Sequence, residues 1–455
     1  MKFTIEQANS YIEQNKEKVN DLYRLKYHMI PPIGWMNDPN GLIKINETYH
    51  LFYQYYPYDS KWGPMHWGHF SSKDLIKYEN LPVALCPNTQ INESGCFSGS
   101  AIFFNNSLNL IYTKHFEKDD LKNEEIYLAT SKDGIHFQKE DKAIFDNQDL
   151  PANISRRDFR DPYIQSINGY NYLFVGGKDL NTNQGIIIVL KSQTLHNFKY
   201  DFTIGPFYEL GEMAECPSYA KVENKDVLIV SGCNVKKRGN QYNNLHSSVF
   251  IIGKIDFNHK KMMVDEIKEI DHGDAFYAPQ FITNEEGVMI GWLETWGKEY
   301  PTNLLNHKWA GAFSIPRKLY FKENNLCQIP IENIRNYYQN SFIYQQGEIS
   351  SCSDLNIKFK GNFEIIFSSN EGEFKIGCQE NIYLDTINSN NLNGSIRKTS
   401  KKFNQGEIRV LLDKSSVEVF IDGGEEVISS RVYLGQTYTL LTKGNVTIEV
   451  NTLIE

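Results

Sequence analysis

The chain has 455 residues, too many for one ordinary hydrophobic core, so two domains are expected. Its composition (40% hydrophobic, 13% aromatic, 23% charged) is that of a globular protein, and a net charge of −9 with a pI near 5.7 argues against nucleic acid as a partner. No apolar run approaches membrane-spanning length, "GIIIVL" (185–190) being strand-sized, so no membrane partner is expected.

In chain order, residues 1–26 form a polar, charged extension where a secretion signal would need an apolar core. A short helix is predicted from residue 4 to about 20, with Ile5, Ala8, Ile12 and Val19 as a thin apolar stripe. From 27 to 325, short β-branched and aromatic runs follow one another, among them "TYHLFYQYY", "SGSAIFF", "YNYLFVGG" and "VLIVSG". Gly, Asn, Asp and Pro punctuate them, the pattern of an all-β sandwich, barrel or propeller. No clean repeat is visible, so a propeller would have diverged blades. Residues 326–345 read as a linker, and better-alternated strands over 346–455 predict an antiparallel β-sandwich. Within it, "SSVEVFIDGGEEVISSRVY" predicts a hairpin turned at Asp422-Gly423-Gly424. The seven cysteines are odd in number, scattered and without a CxxC pair. They read as free thiols in a reducing, cytoplasmic compartment and not as a disulfide framework or a zinc site.

Three acids sit in unusual company. "PPIGWMNDPNG" (31–41) reads locally as a turn, since Asn-Gly is a strong hairpin signal and Asp38 precedes a proline. Yet a Trp, a Met and three prolines hem that acid in. "FRDP" (159–162) places Asp161 between Arg160 and Pro162, and "AECP" (214–217) places Glu215 before Cys216-Pro217. Taken alone, each is satisfied by a structural ion pair or a strand-end acid. Separated by 123 and 54 residues, they meet only in a fold that converges distant strands, as a radial β-fold does. Glycoside cleavage needs such a set, one carboxylate attacking the anomeric carbon and a second protonating the leaving oxygen. The histidines of "HWGH" (66–69) read as structural, no metal-binding motif is present, and no metal or cofactor is expected.

These motifs resemble glycoside hydrolase family 32, the β-fructofuranosidases. "GWMNDPNGL", "FRDP" and "ECP" resemble the family's nucleophile, stabiliser and acid/base motifs, in the family's order. "WGPMHWGHFSSKDLIKYENLPVAL", "GCFSGSA", "DHGDAFYAPQ", "SIPRKLY" and "VLLDKSSVEVFIDGGEEVISSRVY" resemble further family segments. The resemblance implies a five-bladed β-propeller followed by a β-sandwich. It implies a small fructoside such as sucrose or sucrose 6-phosphate as partner, with Asp38 as nucleophile, Glu215 as acid/base and Asp161 as the residue holding fructosyl hydroxyls. By the same resemblance Trp35, Met36, Asn37, Gln54, Trp62, Phe97, Ser98, Arg160 and Trp296 would bind substrate.

Where the family commonly has Trp before the acid/base and Asp after "ECP", this chain has Ala214 and Ser218, beside Glu215 and so on the leaving-group side. Nearby Asp38 and Asp161 are expected to raise the pKa of Glu215. The competing readings are a fructosyltransferase, a hydrolase of fructan oligomers and a non-catalytic sugar-binding propeller.

Overall fold

The structure is a computed structural model describing residues 3–118 and 121–454. Five antiparallel sheets form a five-bladed propeller, and a larger sheet folded on itself forms a C-terminal sandwich. The innermost strands of the five blades are Gly34–Ile45, Glu93–Phe104, Ile154–Ile167, Met213–Val222 and Tyr277–Phe281. Apolar clusters fill the gaps between neighbouring blades, one of them running from Phe174 and Val189 of the third blade through Tyr219 and Val230 of the fourth to Phe281 and Met289 of the fifth. The ring closes where Trp309–Ala310 pairs in parallel with Gly34 and Trp35 of the first blade. Gly311 is required there: its φ is +89°, and a Cβ would lie 1.9 Å from the Met36 carbonyl oxygen.

All five innermost strands carry one extra residue at the same level, at Asp38, Ser98, Asp161, Cys216 and Ala278. In four of them the extra residue precedes a proline (Pro39, Pro162, Pro217, Pro279), which has no N–H to give to a ladder and so belongs at a bulge. This is the propeller's internal repeat. It amounts to one bulge about every sixty residues, too short to stand out in the sequence. Asp161, Cys216 and Ala278 adopt positive φ values of 64°, 46° and 47°, a strained conformation for non-glycine residues.

Three local expectations are corrected. Asp38 is not in a turn: residues 34–45 form one strand whose bulges absorb Pro39 and Gly41, and the chain reverses only after Ile45, which pairs with Thr48. The helix, α1 (Ile5–Asn15), is capped by Thr4 and stops short of residue 20, with Val19 packing instead near Tyr23 and Trp309. The segment 326–345 is not a plain linker. Asn325–Pro330 is the outer strand of the fifth blade, Glu332–Tyr337 a 3-10 helix and Tyr338–Ile343 a strand of the sandwich.

In the sandwich, the long strands Cys352–Ser369 and Thr437–Leu453 pair along most of their length. The break in register between Lys360 and Phe363 lets the first pair with 405–413 at one end and 372–378 at the other. The hairpin of Ser416–Ile421 and Glu426–Arg431 turns through Asp422-Gly423-Gly424, all at positive φ. This hairpin faces the propeller through buried ion pairs. Arg317 reaches Asp271 at 2.9 Å and Glu418 at 2.5 Å, Arg431 reaches Glu294 at 3.2 Å, and His28 bridges Asp413 at 2.8 Å and Glu418 at 2.9 Å.

Candidate active site

The bulges aim side chains into a cavity of about 710 Å³ at one end of the propeller axis. Of the residues expected to form a site, Asn37, Asp38, Gln54, Trp62, Phe97, Ser98, Arg160, Asp161, Glu215 and Trp296 line it. Trp35 and Met36 do not. Met36 is fully buried in the core, because neighbouring residues of a strand face opposite ways. Trp35 lies behind the wall, donating from Nε1 to Asn37 Oδ1 at 2.7 Å and stacking on Trp296.

The three acids come from three different blades. Ser98 Oγ donates to Asp38 Oδ2 at 3.0 Å, while Asp38 Oδ1, also buried, has no hydrogen-bond partner among the described residues. Asp161 Oδ2 accepts from the Cys216 N–H at 3.0 Å, and the Asp161 N–H donates to Thr113 Oγ1 at 2.9 Å. The Cys216 thiol lies 3.6 Å from Asp38 Oδ2 and 3.5 Å from Asp161 Oδ2, so one bulge residue ties both aspartates to the strand that carries Glu215. Arg160 donates to Glu215 Oε1 from Nε at 3.1 Å and Nη2 at 2.6 Å, and to Glu124 Oε2 from Nη1 at 3.0 Å. Tyr277 completes the cradle, its hydroxyl donating to Glu215 Oε2 at 2.7 Å.

This geometry distributes charge in an unexpected way. Burial pushes Asp38 up to about 6, with Glu215 adding to the rise. Burial also pushes Asp161 up to about 8, Arg160 opposing and Glu215 and Asp38 reinforcing it. Burial would raise Glu215 too, but the Arg160 guanidinium and the Tyr277 hydroxyl override it and hold that carboxyl down at about 2. The expected rise at Glu215 is therefore reversed: Arg160 favours the glutamate, and the proton stays with the aspartates.

The cavity holds residues that sequence reasoning missed: His115, Glu117, Glu124, Arg157, Asp158 and His246. None is beside a proline, and several come from strands outside the innermost ring, so no local signal marked them. His115 stacks on Phe97 with ring centroids 4.1 Å apart and meets Glu124 at 3.2 Å. Ala214 and Ser218 are both fully buried and line no part of the cavity. Ala214 packs between blades, and Ser218 Oγ accepts the Phe281 N–H at 2.9 Å, joining the fourth blade to the fifth. His66 and His69 are buried in the first blade, and among the described residues no group of three or more His, Cys, Asp or Glu side chains is placed so that it could hold a metal ion.

Residues 28–330 match the family described as "Glycosyl hydrolases family 32 N-terminal domain", and residues 343–452 match its C-terminal counterpart. A sucrose-6-phosphate hydrolase of Escherichia coli is 31% identical over 456 residues, covering 94% of this chain and 92% of the relative. A Bombyx mori β-fructofuranosidase mutant, solved in complex with sucrose, superposes with a TM-score of 0.87 at 29% identity, over 98% of this chain and 97% of that one. A sucrose-6-phosphate hydrolase from Lactobacillus gasseri superposes with a TM-score of 0.89 at 26% identity, over 99% of each chain.

Proposed function

Because the chain belongs to glycosyl hydrolase family 32, we propose that it is a retaining β-fructofuranosidase releasing a terminal β-D-fructofuranosyl unit from sucrose or sucrose 6-phosphate. The observation that carries this reading is the convergence of Asp38, Asp161 and Glu215, from three blades, on one cavity. It also speaks against a non-catalytic sugar-binding propeller, which has no use for three buried carboxyls in one place.

In the proposed reaction Asp38 Oδ1 attacks the anomeric carbon of the fructosyl unit. The bond from that carbon to the bridging oxygen breaks, and the oxygen takes a proton from Glu215. Glu215 then removes a proton from water, which attacks the same carbon and frees Asp38. Two features support Asp38 as nucleophile: one oxygen is oriented by Ser98, and the other is left without a partner among the described residues. Asp161, fixed by the Cys216 and Thr113 contacts, is the group that holds the fructosyl hydroxyls. Since Arg160 keeps Glu215 ionised, acid catalysis requires that pairing to give way as the sugar enters. The site's proton then passes from the aspartates to Glu215. Seven free cysteines suit a reducing compartment, and we place the enzyme in the cytoplasm.

Methanolysis tests the reading. With sucrose in aqueous methanol, nuclear magnetic resonance should detect methyl β-D-fructofuranoside as the first transfer product. The α-anomer would refute the double-displacement mechanism, and failure to turn over any fructoside would refute the assignment as a whole.

A further inference from the structure

The guanidinium that restrains Glu215 has a second carboxylate. Arg160 donates from Nε and Nη2 to Glu215 Oε1, and from Nη1 to Glu124 Oε2 at 3.0 Å. Glu124 comes from a different blade. It lies on Leu121–Ser131, the third strand of the second blade, directly opposite His115 of Ser107–Lys118 in the ladder. That pairing lets His115 Nδ1 meet Glu124 Oε1 at 3.2 Å, while Nε2 across the ring is 3.6 Å from the Glu117 carboxylate. The imidazole is fixed in turn by the face of Phe97, with centroids 4.1 Å apart and planes 8° apart. Asn147 Nδ2 holds the Glu124 carbonyl at 3.2 Å. Glu124 is thus a buried carboxylate with both oxygens engaged, one braced by His115 and one aimed at Arg160. Arg157 and Asp158 share the cavity wall, Asp158 accepting the Ser155 hydroxyl at 2.9 Å.

The second carboxylate matters when Glu215 takes up its proton. A largely buried guanidinium whose single carboxylate became neutral would be left as an uncompensated charge, which is strongly unfavourable. A lone Arg160–Glu215 pair would therefore hold the glutamate ionised throughout the reaction. Glu124 removes that obstacle. Burial opposes the charge on Arg160, and Glu124 does more to sustain it than Glu215 or Asp161 does. The bond from Nη1 to Glu124 persists while Nε and Nη2 release Glu215 Oε1, and the proton arriving from the aspartates takes that oxygen. His115 occupies Glu124 Oε1 and so leaves Oε2 as the acceptor on the side of Arg160.

We propose that Glu124, braced by His115, is a positioning residue that retains Arg160 as its counter-ion when Glu215 becomes protonated, and so permits acid catalysis. This rests on the fructosidase reading above, so the cluster is titrated both with and without turnover. In sucrose hydrolysis, Glu124→Gln should lower kcat roughly 10- to 100-fold with KM little changed. It should move the alkaline limb of kcat/KM down by about 0.5 to 1 unit, because a negative charge is lost beside the cluster. An activated aryl fructoside, whose leaving group needs no proton, should slow less than about threefold. Added to Arg160→Gln, Glu124→Gln should change kcat less than about threefold further, since it acts through the guanidinium. His115→Gln keeps the charge of Glu124 but removes its brace; it should show the same selective loss on sucrose to a lesser degree, and carries the test if Glu124→Gln does not fold. Carbon-13 NMR of carboxyl-labelled protein reads the cluster without substrate, and its highest carboxyl midpoint should fall in Glu124→Gln. Equal losses on the two substrates in either variant, a limb and midpoint that stay in place, or a full further loss in the double variant would overturn the proposal. If wild-type protein turned over no fructoside while that midpoint still fell in Glu124→Gln, the fructosidase reading would fail and the hold of Glu124 on the cluster would stand.

Discussion

Replacing Arg160 by Gln should move the alkaline limb of kcat/KM upward. In the free enzyme the three carboxyls titrate as one cluster, and Arg160 lowers both Glu215 and Asp161. Two unit charges about 4 Å apart at an effective dielectric of about 20 interact by about 4 kcal/mol, or about three pK units. The side chains of Arg160 and Glu215 keep 20% and 17% of their exposure, so solvent screens part of this and a shift of about one to two units is expected. Wild-type kcat/KM should be bell-shaped, rising near about 6 as Asp38 ionises and falling near about 8 as the last proton leaves the cluster. With Arg160→Gln the upper limb should lie near pH 9 to 10, whatever happens to the maximal rate. Arg160→Lys keeps a positive charge and should hold that limb closer to wild type while lowering kcat through the lost fork. An upper limb that stays in place or moves down in Arg160→Gln would refute the view that this guanidinium decides where the proton resides.

Asp38→Ala removes the attacking oxygen, so turnover of every fructoside should fall by several orders of magnitude while Trp fluorescence and melting temperature change little; retained turnover would exclude Asp38 as nucleophile. Glu215→Ala should slow sucrose far more than an activated aryl fructoside, whose leaving group needs no proton, and equal losses on the two would contradict the acid role. His28 is fully buried between the two domains, where burial alone would lower its pKa but Asp413 and Glu418 hold it up at about 9. Its folded pKa exceeds the unfolded 6.5, so its contribution to stability is complete below pH 6.5 and is lost as pH rises through about 9. That contribution is on the order of 3 kcal/mol. Thermal denaturation should therefore show the wild type losing more stability than His28→Gln between pH 6.5 and 9.5, and parallel losses would remove the histidine from this role.

Local chemistry was enough to write much of this protein. Alternating β-branched runs specify an all-β chain, Asp422-Gly423-Gly424 specifies its hairpin, and Thr4 specifies where α1 begins, because each depends on a few neighbouring residues. The three carboxyls were also legible, since the proline beside each bulge marks a place where a ladder must break. Other features depended on strands about sixty residues apart lying side by side, and no local signal encodes that. Ring closure decided that Asp38 sits on a bulged strand and not in a turn, that Met36 faces the core, and that Ser218 links two blades. It also brought Glu124 and Tyr277, from different blades, to either end of the Arg160–Glu215 pair. The charge state of the site follows from that meeting: a carboxyl's pKa depends on burial and on neighbours within a few ångströms, and here only the tertiary structure supplies both.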